Sequence, residues 1–174
     1  MKPDALTEAL AGRFGEAVVP LETPFEIPQF QVKPGVLLDV LAFLKESGYG
    51  MLLDVGGVDY LPRRPRFEVV YHLLDLNNLD RVRLRCSPES DEHPEVPSAA
   101  SLWPSAIPAE REVYDLFGVR FSGHPNLTRI LMPSDWEGFP LRKDYPLRGP
   151  REAIEARYAA EKSRFHAPRL PGDP

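Results

Sequence analysis

The chain has 174 residues and a formal net charge of −5, and 43% of its residues are hydrophobic. This length predicts one domain with at most an appendage, and the composition excludes an intrinsically disordered chain. The acidic balance excludes a general nucleic-acid-binding surface, which needs a basic face. A single cysteine, Cys86, excludes a disulfide framework and any cluster held by several thiolates of this chain. The 20 prolines, roughly twice the usual share, predict much irregular backbone.

The first residues of the chain do not have the pattern of a targeting segment. Residues 1–19 contain Asp4, Glu8 and Glu16 and no uninterrupted apolar run, so they resemble neither a signal peptide nor an arginine-rich transit peptide. No stretch reaches the roughly 18 apolar residues that a membrane-spanning helix needs. We therefore expect a cytoplasmic protein that associates with a membrane only through other proteins.

Helix-like and strand-like segments alternate in the first half of the chain. Weak helical spacing predicts a short helix over 4–14. A strand-like run follows at 25–32, which Pro28 favours as an edge strand because proline cannot donate to a strand ladder. A second helix is predicted over 34–47, since its apolar residues recur at i, i+3, i+4 and i+7: Leu37, Val40, Leu41 and Leu44.

A buried strand and a β-hairpin are predicted next. The apolar run 51–55 indicates a buried strand that breaks at Gly56 and Gly57. Segments 67–74 and 81–86 alternate with a period of two, which indicates two antiparallel strands joined by a turn. With Asn77 and Asn78 in that turn, the apolar cross-strand pairs are Leu73 with Val82, Tyr71 with Leu84 and Val69 with Cys86. On the opposite face, His72 is then expected near Arg83 and Val70 near Arg85.

The second half of the chain is less regular. Residues 87–97 are predicted to be an exposed loop, 98–103 a short helix, and 108–117 a helix that ends at Gly118. Its expected buried stripe consists of Val113, Leu116 and Phe117. After residue 121 no periodicity appears until a thinly apolar helical pattern over 152–165. A structureless run of this length in a compact domain is usually functional or disordered.

The acidic residues of the 108–117 helix allow two interpretations. Arg111 and Asp115 have the i, i+4 spacing of a helix-supporting ion pair, and Glu110 and Glu112 lie near the positive end of the helix dipole. The alternative is acid–base catalysis, although Glu110 and Glu112 point away from each other on a helix. The histidines, His124 among them, lack metal-site spacing, and no phosphate or dinucleotide motif occurs. We expect Cys86 to be an inert core residue.

The irregular segment is rich in aromatic and cationic residues set among prolines. These residue types are enriched at protein interfaces, and proline lowers the cost of ordering an extended arm. A docking arm is the preferred interpretation, and an ordinary loop that wraps on its own core is the alternative. The predicted partner-contacting residues are Trp136, Phe139, Arg142, Lys143, Asp144 and Tyr145.

Several motifs together resemble a known family. The run from Glu110 to Gly118, His124-Pro125, Arg129-Ile130-Leu131 and the segment 135–147 closely resemble the motifs of the C subunit of NADH–quinone oxidoreductase, which forms the 30 kDa subunit family of respiratory complex I. Residues 53–60 are similar to that family's strand and turn. The signature positions that match are Glu110, Arg111, Glu112, Asp115, Leu116, Phe117, His124 and Arg129.

The resemblance implies a structural subunit without a redox centre or a catalytic site of its own. It would belong to the peripheral arm of a proton-translocating NADH–quinone oxidoreductase on the cytoplasmic face of a bacterial membrane. FMN, the iron–sulfur clusters and quinone would be bound by partner subunits, and this chain would pack chiefly against the D subunit, which forms the quinone site. Alternatives are the homologous subunit of a membrane-bound hydrogenase or of a ferredoxin-dependent complex and, more distantly, a free-standing acid–base enzyme.

These observations predict an α+β fold. Two main helices pack on a small mixed sheet within a core domain at residues 1–121. An extended irregular arm and tail at residues 122–174 would dock on partner subunits.

Overall fold

The computed structural model describes residues 3–24 and 27–147 of the chain. Its helices are α1 (Pro3–Phe14), α2 (Leu37–Glu46) and α3 (Ala106–Phe117). Its strands are β1 (Val18–Leu21), β2 (Gln29–Val32), β3 (Met51–Asp59), β4 (Phe67–Leu74), β5 (Arg81–Cys86), β6 (Glu95–Pro97) and β7 (Arg120–Ser122). Short 3-10 helices occupy Gly15–Ala17, Pro34–Val36 and Ala99–Ser101. None of the helices within these ranges has the length and apolarity needed to cross a membrane.

A five-stranded mixed sheet forms the centre of the fold. Its strand order is β1-β2-β5-β4-β3, in which β2 and β5 are parallel and the other neighbours are antiparallel. The two main helices, α2 and α3, bury residues of their apolar faces in the same core. The predicted α+β class with a small mixed sheet is therefore confirmed.

The β4–β5 hairpin has the predicted register. Val69 pairs with Cys86, Tyr71 with Leu84 and Leu73 with Val82, while His72 lies opposite Arg83 on the other face. All the apolar members of these pairs are buried, because a period of two places them together on the core face. Burial raises the pKa of the Cys86 thiol to about 12, so the thiol stays protonated as a core residue.

The position of β2 within the sheet differs from the prediction. The sheet edge on this side is β1, an unpredicted strand, and β2 lies between β1 and β5. Pro28 lies just before β2, where its carbonyl accepts the N–H of Arg83 at 3.0 Å, so the missing proline N–H does not interrupt the ladder. Residues 25 and 26, which belong to the predicted run, lie outside the described residues.

The predicted break of β3 at Gly56 and Gly57 is also wrong. The strand continues to Asp59, and its irregular register lies earlier, between Leu52 and Asp54. At Gly57 a Cβ would lie 2.6 Å from Cδ2 of Phe117, so the glycine gives this α3 side chain room against the strand. The glycine at this position thus serves helix–sheet packing within a continuous strand.

A second, smaller sheet lies partly in the segment 87–97, which the sequence pattern predicted to be a loop. The last residues of that segment form β6, which pairs in parallel with β7 and buries Val96 and Phe121. The predicted short helix after it is the 3-10 helix Ala99–Ser101, and α3 ends at Gly118 with a φ of 74°. Residues 123–147, here called the arm segment, contain no helix or strand, and the predicted helix 152–165 lies outside the described residues.

The sheet face opposite the two main helices carries a hydrogen-bonded group of charged and hydroxyl side chains. Arg85 donates from Nε to Oε1 of Glu68 at 2.6 Å and from Nη2 to the Tyr60 hydroxyl at 2.6 Å. These three side chains border an open cavity of about 500 Å³. The residues that line this cavity do not include any of the arm segment, which forms hydrogen bonds with Asp59 at the end of β3 and with Phe117 of α3.

Packing between Gly57 and Phe117 yields a test of the fold. We expect Gly57→Ala to lower the free energy of unfolding by about 1–3 kcal/mol, because the added methyl overpacks the α3–β3 contact. Gly56→Ala is the matched control, since a Cβ there meets nothing within 4 Å, and its effect should stay within about 0.5 kcal/mol. Urea denaturation of both variants measures the difference, and equal midpoints would contradict the packing described.

Candidate functional site

Two acidic side chains of α3 are fully buried, which the sequence pattern did not indicate. Glu110 and Asp115 have no exposed surface, whereas Glu112 is exposed and Leu116 and Phe117 are only half-buried. The predicted buried stripe is therefore correct only at Val113. Helix α3 begins at Ala106, two residues earlier than predicted, so Glu110 and Glu112 lie beyond its first turn. The expected interaction of these acids with the helix dipole is therefore absent.

Asp115 holds residues 129–132 of the arm segment against α3. Its Oδ2 accepts the backbone N–H groups of Ile130, Leu131 and Met132 at 3.0, 2.7 and 2.8 Å. Its Oδ1 accepts Nη1 of Arg129 at 2.7 Å. Burial alone would raise the pKa of Asp115, but the three N–H groups and the guanidinium outweigh it and lower that pKa. One ionised carboxylate thus fixes four consecutive residues of the arm segment.

Arg129 extends this contact to the next turn of the arm segment. Besides the Asp115 carboxylate, its guanidinium donates to the Asp115 carbonyl at 3.0 Å and to the carbonyls of Trp136 and Gly138, both at 2.9 Å. The planar five-donor group suits such a divergent set of acceptors. The predicted ion pair between Arg111 and Asp115 is not formed. Arg111 instead donates to the carbonyls of Thr128 and Arg129, because the arm segment folds back beside the helix.

A second buried carboxylate, Asp59 at the end of β3, holds the far end of the arm segment. Arg66 binds it in a bidentate manner, with Nε to Oδ1 at 3.0 Å and Nη2 to Oδ2 at 2.8 Å. The backbone N–H of Lys143 donates to Oδ2 at 2.9 Å, and Arg66 also binds Asp144 at 2.7 and 2.9 Å. Burial opposes ionisation, but these donors and the N–H of Leu61 lower the pKa of Asp59 to about 2.

Phe139 and Arg142 close the arm segment over the end of α3. Arg142 donates from Nε to the carbonyl of Phe117 at 2.6 Å, and its guanidinium lies 4.6 Å from the centre of the Phe139 ring. A Cβ at Gly118 would lie 2.5 Å from Cε2 of Phe139, so only glycine lets this ring approach. The helix-ending glycine, at φ 74°, therefore has a packing role as well.

The predicted partner-contacting residues all contact this chain itself. Tyr145 donates its hydroxyl to the Glu137 carbonyl at 3.1 Å, and Trp136 is half-buried. The contacts of Phe139, Arg142, Asp144 and the backbone of Lys143 are described above. Their role at a partner interface stays a prediction.

In the arm segment, the apolar side chains that face away from the domain are aliphatic. Leu131 and Leu141 are 59% and 52% exposed, Ile130 is also exposed, and Leu147 is fully exposed. Sequence reasoning missed them because it selected aromatic residues. The position of Ile130 and Leu131 directly after Arg129 could have indicated them. Asp115 holds the backbone of these two residues, so their side chains project outward.

Glu110 and His124 hold different loops and do not meet as an acid–base pair. Glu110 accepts the Ser98 hydroxyl and the Ala99 N–H, both at 2.6 Å, and so fixes the 3-10 helix before α3. His124 accepts the N–H of Asn126 at Nδ1 and contacts the Ile107 carbonyl through Nε2 at 3.1 Å, which assigns the proton to Nε2. Within residues 3–24 and 27–147, no three His, Cys, Asp or Glu side chains are placed to hold a metal ion.

Burial of Glu110 makes stability depend on pH. Burial raises its pKa from 4.5 to about 7, although the Ser98 hydroxyl and the Ala99 N–H favour the ionised form. The folded protein therefore retains a proton that the unfolded chain releases. The resulting stabilisation is complete below pH 4.5 and is lost as the pH rises through about 7.

We expect the free energy of unfolding to fall by roughly 3 kcal/mol between pH 4.5 and pH 7 because of Glu110. Glu110→Gln should remove this contribution, since the neutral amide keeps both hydrogen-bonding neighbours. Glu112→Gln, which alters an exposed acid on the same helix, should leave the slope unchanged. Urea denaturation across this range measures it, and parallel pH profiles for wild type and Glu110→Gln would contradict the assignment.

Known proteins are similar to this chain in sequence and in architecture. Residues 30–151 match the family described as the 30 kDa subunit of respiratory-chain NADH dehydrogenase. The C 2 subunit of NADH-quinone oxidoreductase from Rhizobium etli is 42% identical over 157 residues, which cover 88% of this chain and 83% of the relative.

Two solved structures share the fold. The trypsin-resistant fragment (1–134) of Nqo5 is 32% identical, with a TM-score of 0.65 over 73% of this chain and all of the fragment. A chain from an archaeal respiratory membrane complex, the membrane-bound sulfane sulfur reductase, has a TM-score of 0.71 at 23% identity and covers 99% of this chain and 97% of its own length. This chain belongs to the 30 kDa subunit family of respiratory-chain NADH dehydrogenase, whose members include the C subunit of NADH–quinone oxidoreductase.

Proposed function

We propose that this chain is a structural subunit, without a redox centre of its own, in the peripheral arm of a proton-translocating NADH–quinone oxidoreductase. Its arm segment packs against the quinone-site subunit and holds the quinone-reducing module in position. This partner and this role go beyond the family membership established above. The observation that carries it is the fixation of an irregular segment by two buried carboxylates, Asp59 and Asp115.

Fixation by carboxylates gives the arm segment a defined shape without regular secondary structure. Asp115 binds its residues 129–132, and Asp59 binds the backbone of Lys143 near its end. A segment ordered in advance loses less conformational entropy when it binds a partner. The arm segment is therefore suited to present a rigid surface to another subunit.

Exposed aliphatic residues supply the apolar part of that surface. Ile130, Leu131 and Leu141 project from backbone that is itself hydrogen-bonded to α3 or to Asp115. The charged groups beside them, Arg129 and Asp144, are satisfied within the chain. Apolar side chains surrounded by satisfied polar groups are typical of a protein–protein contact.

The remaining reactive groups support a structural role. Cys86 is buried and its thiol is held protonated by its environment, and Glu110 is occupied with Ser98 and Ala99. We assign FMN, the iron–sulfur clusters and the quinone to partner subunits. We place the chain at the cytoplasmic face of the membrane, attached only through the complex.

Two alternative functions compete with this one. The fold is shared with a chain of the sulfane sulfur reductase complex, so a homologous subunit of a related complex has the same architecture. A free-standing acid–base enzyme would need Glu110, Glu112 or Asp115 near His124. Two of these acids are buried in unrelated hydrogen-bond sets and the third is exposed, which disfavours that interpretation.

A cross-linking experiment tests the proposed contact. A photoreactive side chain placed at Leu131 or Leu141 of the full chain should form an adduct with the quinone-site subunit in gently solubilised membranes. Leu131→Asp and Leu141→Asp should each lower the amount of chain recovered with the complex at least about tenfold, because burying an unpaired charge costs more than about 1.4 kcal/mol. The isolated chain should keep its thermal stability, since both sites are exposed.

Val19→Asp is the matched control, because Val19 is 49% exposed on β1 and lies outside the arm segment. It should leave recovery of the complex at the wild-type level. Adducts formed only with this chain itself, or full recovery of both arm variants, would contradict the proposal. Recovery with hydrogenase subunits in place of NADH dehydrogenase subunits would favour the related complex.

A further inference from the structure

The open cavity on the sheet face opposite the two main helices is built from several separate parts of the chain. Gln31 of β2 and Arg85 of β5 are register partners in the sheet beneath it, and Glu68 of β4 binds Arg85. Residues 16–19 and the β3–β4 loop at 60–65 complete its lining. Its volume of about 500 Å³ lies in the range of cavities that hold small organic molecules. We call it the sheet-face cavity.

Cationic side chains outnumber acidic ones in the lining of the sheet-face cavity. The four cations and two acids are Lys33, Arg63, Arg64, Arg85, Glu16 and Glu68. Two of the cations have acidic partners, since Arg85 binds Glu68 and Arg64 binds Asp91. Lys33 and Arg63 are exposed and form no ion pair within residues 3–24 and 27–147. The cavity therefore has a surplus of positive charge in a chain whose net charge is −5.

Hydrogen-bond donors that suit an anion remain available in the sheet-face cavity. Arg85 uses Nε and Nη2 for Glu68 and Tyr60, but its Nη1 has no partner among the described residues. Its side chain is 29% exposed, so a ligand can reach it. The Ser87 hydroxyl accepts Nε2 of Gln31 at 3.3 Å, which leaves its own proton free to donate. Guanidinium and hydroxyl donors of this kind bind phosphate and carboxylate oxygens well.

Apolar groups form the other part of the lining. Val19, which is 49% exposed, borders the sheet-face cavity together with Pro34 and Pro65. Binding sites for small molecules typically combine an apolar lining with a few fixed polar groups. This lining suits a ligand that has an anionic group on an apolar body.

The loop that carries Arg63 is held in place by the chain itself. The N–H of Tyr60 donates to the Arg66 carbonyl at 2.7 Å, and the N–H of Arg63 donates to the Tyr60 carbonyl at 2.8 Å. The N–H of Arg66 also donates to Oδ1 of Asp91 at 2.7 Å. A ligand therefore meets groups that are already positioned, which lowers the entropy lost on binding.

From these observations we propose that the sheet-face cavity binds a small organic phosphate monoester with an apolar body. Its phosphate contacts Lys33, Arg63 and Arg85, and its apolar body lies against Val19. A phosphate monoester carries about two negative charges at neutral pH, which match the two cations without an acidic partner. A nucleic acid would need a basic face larger than one cavity, and the acidic chain disfavours it. This site is separate from the arm segment and does not depend on which subunit the arm segment binds.

Isothermal titration calorimetry of the full chain at low salt tests the site, with phenyl phosphate as the probe. We expect saturable binding at one site per chain. Inorganic phosphate, which lacks the apolar body, and benzoate, which has a single negative charge, should each bind at least about fivefold more weakly. Benzylamine, which carries a cation on a similar ring, should not bind.

A double variant locates the binding. Lys33→Gln combined with Arg63→Gln should lower the affinity for phenyl phosphate at least about tenfold, because both cations that suit the phosphate are lost. It should leave the melting temperature unchanged, since both side chains are exposed. Arg81→Gln combined with Arg120→Gln is the matched control, because it removes the same charge from residues that do not line the cavity. Its affinity should stay within about twofold of wild type.

Several results would overturn the proposed site. One is a wild type that shows no saturable binding of phenyl phosphate, and another is an unchanged affinity in the Lys33 and Arg63 variant. An equal loss in the control variant would assign the binding to the overall charge of the chain. Inorganic phosphate, benzoate or benzylamine that binds as tightly as phenyl phosphate would contradict the proposed ligand class.

Discussion

The carboxylate of Asp115 is the interaction on which the second half of the structure depends. It lies fully buried at the end of α3 and accepts three consecutive backbone N–H groups and a guanidinium from residues 129–132. Without it, those donors would remain unsatisfied beside an apolar helix face, at a cost of about 1–3 kcal/mol or more for each group that is buried. The irregular segment therefore has a defined conformation, because the Asp115 carboxylate accepts its backbone N–H groups. In a β-sheet, the carbonyl groups of a neighbouring strand serve this purpose.

The second carboxylate, Asp59, makes the same kind of contact at the other end of the arm segment. Arg66 links it to Asp144, so the end of β3 and the arm segment share one network of ionised groups. Between the two carboxylates, Phe139 packs on Gly118 and Arg142 binds the last carbonyl of α3. These contacts favour a subunit that brings a preformed surface to its complex over one that orders only on binding.

Sequence reasoning identified the local elements well and the distant contacts poorly. The β4–β5 register was predictable because a period of two and a turn of known length leave one pairing that buries every apolar residue. The place of β2 was not, because its parallel partner, β5, lies far along the chain and no local pattern identifies it. The buried state of Asp115 was hidden for the same reason, since its partners lie in a segment without periodicity.

The family resemblance supplied what periodicity could not. Asp115 and Arg129 are both among the signature positions of that family, and these two residues form an ion pair in the structure. It did not distinguish residues that shape the arm segment from residues that project out of it. That distinction needs the fold, because Phe139 packs on Gly118 while Leu141, two positions later, projects outward.

Amide hydrogen exchange of the isolated full chain tests most directly whether Asp115 holds the arm segment without any partner. We predict that the amides of Ile130, Leu131 and Met132 exchange slowly in the wild type and about 100-fold faster in Asp115→Asn, while the amides of β4 keep their protection. Exchange of these three amides at the rate of an unstructured chain in the wild type would contradict the account, since the arm segment would then become ordered only in the complex.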